Sequence, residues 1–317
     1  GALFMSEFKS RSKWGDSKRW YNAWALLELL ETYPGQVPDV DIAINGADEP
    51  FIGSQELFRV GTKPDGRAIK GLRPWNVSQA RSPPPLFSVC RDANNVDLLW
   101  PQYNIWGMDW TGMGMREPPW CVQFPMLRRT WLRKGITHRP GKLFWRGQLK
   151  SNPSTRGAMV RCRTRLLPKA GKRRIDVEVN GVVIRKGGGS MPGVSTRGGK
   201  QVSASARCNA KYLLHMEGRS FSLAQLPQAG CGSLMVMGPH RYYTPIERAY
   251  RANGFFLPVQ LPVYNPGGDP RAVVERGACE NVSAAITWAE SKAPGGGADA
   301  SAAVAAEAAA WTELELS

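Results

Sequence analysis

The stretch KYLLHMEGRSFSLAQLPQAGCGSLMVM, residues 211–237, decides the fold class that the sequence predicts. It begins with an apolar, strand-like run that ends at Gly218, and it closes with a second buried run, SLMVM. Between the two runs, a helical pattern begins near Ser220 or Ser222 and is interrupted or ends near Pro227. Strands that alternate with helices in this way are typical of an α/β fold built on parallel sheets.

The same alternation continues along the rest of the chain. Strand-like runs occur at residues 41–44 and 143–145, and helical patterns occur at residues 20–32, 125–135 and 245–254. We therefore expect the α/β pattern to extend over most of the sequence.

A Pro- and Gly-rich stretch near residues 111–125 predicts a boundary between two such domains. We predict an N-terminal domain at residues 1–122, a second domain at 123–290 and an Ala-rich tail at 291–317 that is a loosely attached helix or disordered. Within the second domain, IDVEVNGVVI at residues 175–184 predicts a β-hairpin on a projecting arm, because Asn-Gly joins two β-branched runs.

The 317-residue chain carries a formal net charge of +16, which favours an anionic partner. A nucleic acid, a nucleotide-sugar, an acidic glycan and an anionic membrane surface all meet that condition. The six cysteines form no CxxC motif and the three histidines stand apart from them, so we predict no metal site. No apolar run is long enough to span a membrane, and the N-terminus lacks the apolar core of a signal peptide. The protein is therefore either cytosolic or has lost a leader.

Two carboxylates follow a predicted buried strand in DVDIAINGADEP, residues 39–50. The strand breaks at Asn45-Gly46, and Asp48 and Glu49 come directly after it. Ligands in open α/β sheets bind outside the carboxyl ends of the strands, which is where we expect Asp48. A polar turn or a helix cap before the following proline explains the same residues.

Two loops could hold a phosphate group. In FWRGQLKSNPSTR, residues 144–156, a strand delivers Arg146, Gly147 lets the backbone turn closely, and Arg156 adds positive charge. A solvated basic loop is the alternative. The segment after Gly218 repeats the order of strand, glycine and helix, with serines at the start of the helix.

Two further candidates are interpreted as structural. Asp39 and Asp41 form a DxD-like pair, which can hold a divalent cation, but they precede their strand and so lie at the wrong end of the sheet. His215 lies within an apolar strand, and we interpret it as a core histidine with its hydrogen bonds satisfied.

Taken in order, these segments resemble the CAP10-like protein O-glucosyltransferases, which form glycosyltransferase family 90. The resemblance runs from about Asp39 to Val259. It rests on five segments in the family's order: DVDIAINGADEP, PLFSVCRDANNVDLLWPQYNIW, LFWRGQLKSNPSTR, KYLLHMEGRSFSLAQLPQAGCGSLMVM and GFFLPV. Each motif alone is modest, whereas five in one order are strong.

The resemblance implies a GT-B architecture, in which two Rossmann-like domains face each other across a cleft. The N-terminal domain is then on the acceptor side, and the second domain binds the nucleotide-sugar. The resemblance implies an inverting enzyme, without a cofactor or an active-site metal, that moves glucose or xylose from a UDP-sugar to a protein or polysaccharide acceptor. Asp48 matches the family's catalytic base, and Arg146 matches the arginine that contacts the donor diphosphate. The residues predicted to bind the donor with Arg146 are Gly147, Arg156, Lys211, Gly218, Arg219, Ser220 and Ser222.

The resemblance also bears on the acceptor and on the compartment. Trp106 and Trp110 lie in a tryptophan-rich loop and are our candidates for the acceptor side, although core packing explains them equally well. Cys208 and Cys231 match cysteines of lumenal animal members, which implies a disulfide and a location in the ER or Golgi lumen with the leader absent from this chain. We expect a monomer that binds no nucleic acid and has no membrane span.

One position departs from the family pattern. Family members usually carry a diphosphate-binding arginine a few residues into the helix after the Gly-Ser segment, where this chain has Ala224. This departure favours a second hypothesis, a catalytically inactive relative that binds a nucleotide or a glycan. The net charge favours a third, a nucleic-acid-binding protein, but the basic residues are dispersed through loops and match no nucleic-acid motif.

Overall fold

The computed structural model of the chain describes residues 13–50, 59–60, 75–76, 85–110, 115–147, 153–162, 175–179, 204–218, 220–261, 275–294 and 296–316. Its contacts divide the chain into two compact units. Unit 1 comprises Gly1–Val122 and Tyr242–Pro245, and unit 2 comprises Gln123–Arg241 and Ile246–Ser317. Among the described residues, no helix is both long enough and apolar enough to cross a membrane.

Unit 1 combines one long helix with short strands. Its described elements are α1 (Lys13–Thr32), β1 (Ala43–Ile44), β2 (Arg59–Val60), β3 (Trp75–Asn76), β4 (Leu86–Ser88), β5 (Leu98–Leu99), a 3-10 helix (Tyr103–Trp106), β6 (Met108–Trp110) and β7 (Met115–Glu117). Strands β1, β4 and β5 form a parallel sheet in the order β1-β4-β5. Strands β2 and β3 form one antiparallel pair, and β6 and β7 form another.

Two tryptophans hold α1 against the rest of unit 1. Trp100 Nε1 donates to Asn22 Oδ1 over 3.1 Å, and Trp106 Nε1 donates to Glu28 Oε2 over 2.7 Å. An indole has a single N–H donor, and in both residues that donor is directed to α1. Trp106 therefore contributes to the packing of unit 1.

Unit 2 contains the larger sheet. Its described elements are α2 (Trp120–Arg133), a 3-10 helix (Ile136–His138), β8 (Leu143–Gly147), α3 (Pro153–Arg161), β9 (Ile175–Val179), α4 (Ala204–Arg207), β10 (Tyr212–His215), α5 (Gln225–Ala229), β11 (Leu234–Met237), α6 (Pro245–Asn253), β12 (Leu257–Pro258), α7 (Glu275–Glu290) and α8 (Ala298–Leu316). The first residues of α2 and α6 belong to unit 1. The five strands are parallel and lie in the order β12-β11-β10-β8-β9. The predicted α/β class with parallel sheets is thus confirmed, while the GT-B arrangement stays a prediction.

The core of unit 2 forms around strands β8, β10 and β11. All four residues of β10 and all four of β11 are buried, as expected for parallel strands that are covered on both faces. Met159 of α3, Val282 of α7 and Ala305 of α8 belong to the same buried cluster. Residues 291–317 were predicted to be loosely attached or disordered. Instead the described part of this segment forms α8, whose Ala305 belongs to the buried core cluster and whose Ala308, Ala309 and Thr312 are also buried.

Two disulfides cross-link unit 2. One joins Cys208 to Cys231, the pair that the family resemblance implies, and the other joins Cys162 at the end of α3 to Cys279 of α7. The second pair was not predicted, because 117 positions separate its cysteines in the sequence. Cys90 and Cys121 take part in neither disulfide.

The structure differs from the sequence prediction at two further segments. Residues 175–179 were expected in a projecting hairpin, but they form β9, which pairs with all five residues of β8. The remainder of that hairpin lies outside the described residues. The helix expected to begin at Ser220 or Ser222 begins at Gln225, after a turn in which the Gln225 N–H donates to the Ser222 carbonyl. Pro227 lies in the first turn of α5, where no backbone N–H is needed.

Candidate functional site

The side chain of Asn45 shapes the loop that follows β1. Its Oδ1 accepts a hydrogen bond from the Ala47 N–H (2.9 Å), and its amide donates to the Glu49 carbonyl (2.7 Å) and to Ser88 Oγ (3.0 Å). These three bonds form a turn and attach it to β4. A polar turn is therefore present, but Asn45 makes it, and the carboxylate of Asp48 is not needed for it.

The carboxylate of Asp48 is presented at the carboxyl end of β1. Asp48 is exposed, its backbone carbonyl accepts from the Cys90 thiol (3.3 Å), and its Oδ1 accepts from the Tyr103 hydroxyl (3.4 Å). Burial, followed by the negative charge of Asp48, raises the pKa of Tyr103 well above its ordinary value. Tyr103 therefore stays protonated and donates a hydrogen bond to the carboxylate. Sequence reasoning missed Tyr103, because an aromatic residue in PQYNIW does not stand out from residues that only pack.

In unit 2, Arg146 and Gly147 form the carboxyl end of β8. Arg146 is half-buried, donates from Nη1 to the Trp145 carbonyl (2.9 Å), and lies over the Phe144 ring at 4.6 Å from its centroid. A Cβ added to Gly147 would overlap the ring of Trp145, so only glycine fits there without displacing that ring. The strand thus presents a guanidinium supported by an aromatic face.

The structure brings Arg156 of α3 to the end of β10. Its Nη2 donates to the Met216 carbonyl (3.3 Å), and its guanidinium lies 5.4 Å from the centroid of the Trp145 ring. A Cβ at Gly218 would stand 3.6 Å from the same Nη2 and 2.7 Å from the Phe221 carbonyl. Burial lowers the pKa of Arg156 to about 10, against an opposing effect of the charge of Glu217, so the side chain stays positively charged at neutral pH.

The other residues predicted to bind the donor do not all lie in the loop after β10. Ser220 is buried and Ser222 half-buried in the loop between Gly218 and α5. Lys211 precedes β10, and its ammonium lies 5.4 Å from the centroid of the Tyr212 ring. Since Gly218 follows the opposite end of β10, the structure does not bring Lys211 to the loop after the strand.

Two predicted site residues fall outside what the structure describes. Arg219 lies outside the described residues, and for Trp110 only the backbone, in β6, is described. Ala224, where the family pattern has arginine, is half-buried and directly precedes α5. Because α5 itself contains no basic residue, Arg156 is the guanidinium that the described residues bring to the Gly218 loop.

Each unit therefore presents one chemically distinct group at the carboxyl end of a parallel strand. In unit 1 the group is an exposed carboxylate with a protonated phenol beside it, which suits the acceptance of a proton. In unit 2 it is a pair of arginines, Arg146 half-buried at the end of β8 and Arg156 buried at the end of β10, whose positive charge suits the binding of an anion such as a diphosphate.

A family model described as "Glycosyl transferase family 90" matches residues 3–293 of the chain. No curated protein matches the chain. The match spans both the exposed carboxylate of unit 1 and the paired arginines of unit 2.

Proposed function

The chain belongs to glycosyl transferase family 90, and from that membership we propose that it is an inverting glycosyltransferase that moves glucose or xylose from a UDP-sugar to a hydroxyl of a protein or glycan. Family membership itself supports a glycosyltransferase with a donor and an acceptor substrate. The donor sugar, the inversion of configuration and a reaction without an active-site metal are parts of the proposal.

The observation that carries the proposal is the exposed carboxylate of Asp48 with its hydrogen bond from Tyr103. An inverting transfer needs one base, which takes the proton of the acceptor hydroxyl as its oxygen attacks the anomeric carbon. Asn45 forms the turn, so the turn does not depend on the carboxylate of Asp48. Tyr103 orients the carboxylate without competing for the proton.

The departing group of the reaction is a diphosphate that gains negative charge. The new bond forms between the acceptor oxygen and the anomeric carbon, and the bond from that carbon to the diphosphate oxygen breaks. The electron pair of the broken bond leaves with UDP, while the acceptor proton passes to Asp48. Arg146 binds the phosphate oxygens, since a guanidinium suits bidentate contact, and the buried charge of Arg156 adds positive potential at the Gly218 loop.

Arg156 also accounts for the missing arginine at position 224. The family arginine would reach the diphosphate from the helix after the glycine. Here the loop at Gly218 is approached by Arg156 from α3 instead. We propose that this exchange of position keeps the donor site cationic.

A second candidate function is a catalytically inactive relative that binds a nucleotide or a glycan. Ala224 and the absence of a basic residue in α5 favour it. Such a protein would keep the arginines at β8 and β10 and bind UDP, but it would transfer no sugar.

Calorimetry and turnover separate the two candidates. The folded chain is titrated with UDP and with UDP-glucose, and it is then incubated with labelled UDP-glucose and UDP-xylose and a panel of protein and glycan acceptors. Binding with release of UDP and labelling of an acceptor supports the enzyme. Binding of UDP without sugar release or transfer supports the inactive relative, and the absence of any UDP binding contradicts both.

We expect Arg146→Gln to weaken use of the donor. Removing a hydrogen bond to a charged group costs about 1.5–3 kcal/mol, which corresponds to a fall of roughly 10- to 150-fold in kcat/KM. Arg146→Lys keeps the charge but not the forked donors of the guanidinium, so its kcat/KM should lie between those of the wild-type protein and Arg146→Gln. The measurement is kcat/KM for the UDP-sugar together with the Kd for UDP.

Arg133→Gln is the matched control for Arg146, because Arg133 is an exposed arginine at the end of α2 in the same unit. It removes the same charge from unit 2 and should leave both constants unchanged. Equal constants for Arg146→Gln and the wild-type protein would remove Arg146 from the donor site.

The compartment follows from the cysteines. Two disulfides fit an oxidising environment, as in secreted or lumenal proteins. We propose the lumen of the ER or Golgi as the site of action. Free thiols at all four positions in the protein isolated from its cells would contradict this location.

A further inference from the structure

Two of the three histidines of the chain lie against each other inside unit 2. The rings of His215 and His240 are 4.9 Å apart between centroids, and their side chains are almost completely buried. His215 is the last residue of β10, and His240 lies between β11 and α6. One ligand atom from each histidine and one from Glu247 of α6 all lie within 4.8 Å of one another.

The hydrogen bonds of His215 leave its Nε2 available. Its Nδ1 lies 2.9 Å from Gln228 Oε1, and the amide nitrogen of Gln228 donates to the Leu214 carbonyl over 2.9 Å. Because the amide hydrogens of Gln228 are used in that bond, its oxygen accepts from His215 Nδ1–H. With the proton on Nδ1, the neutral ring of His215 carries its lone pair on Nε2.

The second ring is oriented in the same way. His240 Nδ1 lies 2.5 Å from Glu247 Oε1, and Glu247 is also held by Arg251 Nε at 3.0 Å. His240 Nε2 is buried, and no hydrogen bond reaches it from any residue that the structure describes. A buried nitrogen without a partner is costly, so a ligand at this position would relieve that cost.

We propose that His215 and His240 bind a divalent transition-metal ion of the zinc class through their Nε2 atoms. Glu247 accepts a hydrogen bond from His240 Nδ1–H and so orients that ring. Imidazole nitrogens suit Zn²⁺, and a metal-bound histidine commonly donates its other N–H to a carboxylate or a carbonyl-type oxygen. Glu247 and Gln228 occupy those two positions. No motif or spacing in the sequence indicates the cluster, because its members come from the end of β10, the loop after β11 and helix α6.

The geometry and charge of the cluster are compatible with an ion. Zinc–nitrogen bonds of about 2.0–2.1 Å place tetrahedral ligands roughly 3.3 Å apart. In the cluster, one ligand atom from each of the three residues lies within 4.8 Å of the others. Glu217 and Glu247 oppose the positive charges of Arg156 and Arg251 around the two rings. A divalent ion therefore enters surroundings that are close to neutral.

The ion would join the end of β10 to the loop between β11 and α6. Only two residues, Met216 and Glu217, separate His215 from Gly218. The inference concerns metal binding alone and does not rest on the proposed transferase reaction, in which no metal acts on the donor.

The test uses the whole chain without a histidine tag, freed of metal by dialysis against a chelator and then titrated with Co²⁺ and Zn²⁺. We expect one Co²⁺ per chain with the visible absorption of a four-coordinate ion bound by nitrogen and oxygen, and we expect Zn²⁺ to displace it. Zn²⁺ should also raise the thermal midpoint. Absence of a stoichiometric ion, or an absorption band from thiolate ligands, overturns the proposal.

Three variants locate the site. His215→Gln and His240→Gln should each lower the affinity for Co²⁺ by 100-fold or more, and Glu247→Gln should lower it roughly 10- to 100-fold. His138→Gln is the matched control, since His138 is exposed and lies outside the cluster. Wild-type affinity in both cluster variants overturns the proposal. If those variants do not fold, X-ray absorption at the zinc edge of the wild-type protein decides it, because two imidazole ligands are required.

Discussion

Asp48→Asn is expected to abolish sugar transfer while the donor still binds. Asparagine has nearly the same size as aspartate, and its carbonyl oxygen can still accept the hydrogen bond of Tyr103 that now reaches Asp48 Oδ1. It cannot take a proton from the acceptor hydroxyl. General-base assistance is typically worth about 10²–10⁴ in rate, so kcat should fall by at least that range, while the Kd for UDP should remain unchanged.

Asp41→Asn is the control for Asp48, because Asp41 is an exposed aspartate that precedes the same strand. It should transfer sugar at the wild-type rate, which would also argue against a cation held by Asp39 and Asp41. The measurement is release of UDP and labelling of the acceptor under saturating donor. An undiminished rate in Asp48→Asn would falsify its assignment as the base, whatever the control does.

The double variant Cys162→Ala/Cys279→Ala is expected to lose more stability than any other change proposed for this chain. The disulfide closes a loop of 117 positions, whereas Cys208–Cys231 closes one of 23. Loop-closure entropy predicts a loss of about 5 kcal/mol in the free energy of unfolding for the longer loop and about 3 kcal/mol for the shorter. All four cysteines are buried, and alanine is apolar, so neither double variant places an unpaired polar group in the interior.

Urea denaturation of the oxidised proteins measures this difference through the midpoint and slope of each transition. Cys121→Ala removes an exposed free thiol and should leave the midpoint unchanged. Equal losses in the two double variants would show that loop length does not determine the contribution of these cross-links.

The sequence predicted best those features that depend on neighbouring residues. Residues 143–145 of β8, 212–214 of β10 and 234–237 of β11 are apolar, and runs of this kind are typical of strands buried in a parallel sheet. Asp48 and Arg146 were placed at the ends of their strands, because the end of an apolar run can be read directly from the sequence.

Features that join distant residues were not predictable in the same way. The Asn-Gly pair after residue 179 indicates a hairpin, yet β9 pairs with β8, and local turn chemistry cannot specify a partner some thirty positions away. The position of Arg156 at Met216 and the contact of His215 with His240 likewise depend on the register of the sheet. Helix α5 has only five residues, which are too few for a periodic signal, so the sequence placed its start too early, at Ser220 or Ser222 instead of Gln225.

The dependence of the Asp48 loop on Asn45 has a consequence for the ageing of the protein. Asn45 precedes Gly46, and asparagine before glycine is the pair most prone to spontaneous deamidation, which converts the amide to a carboxylate. A carboxylate cannot donate the bonds that Asn45 now makes to the Glu49 carbonyl and to Ser88 Oγ. Stored protein should therefore lose activity in step with a mass increase of one dalton at this peptide, while its fold stays intact.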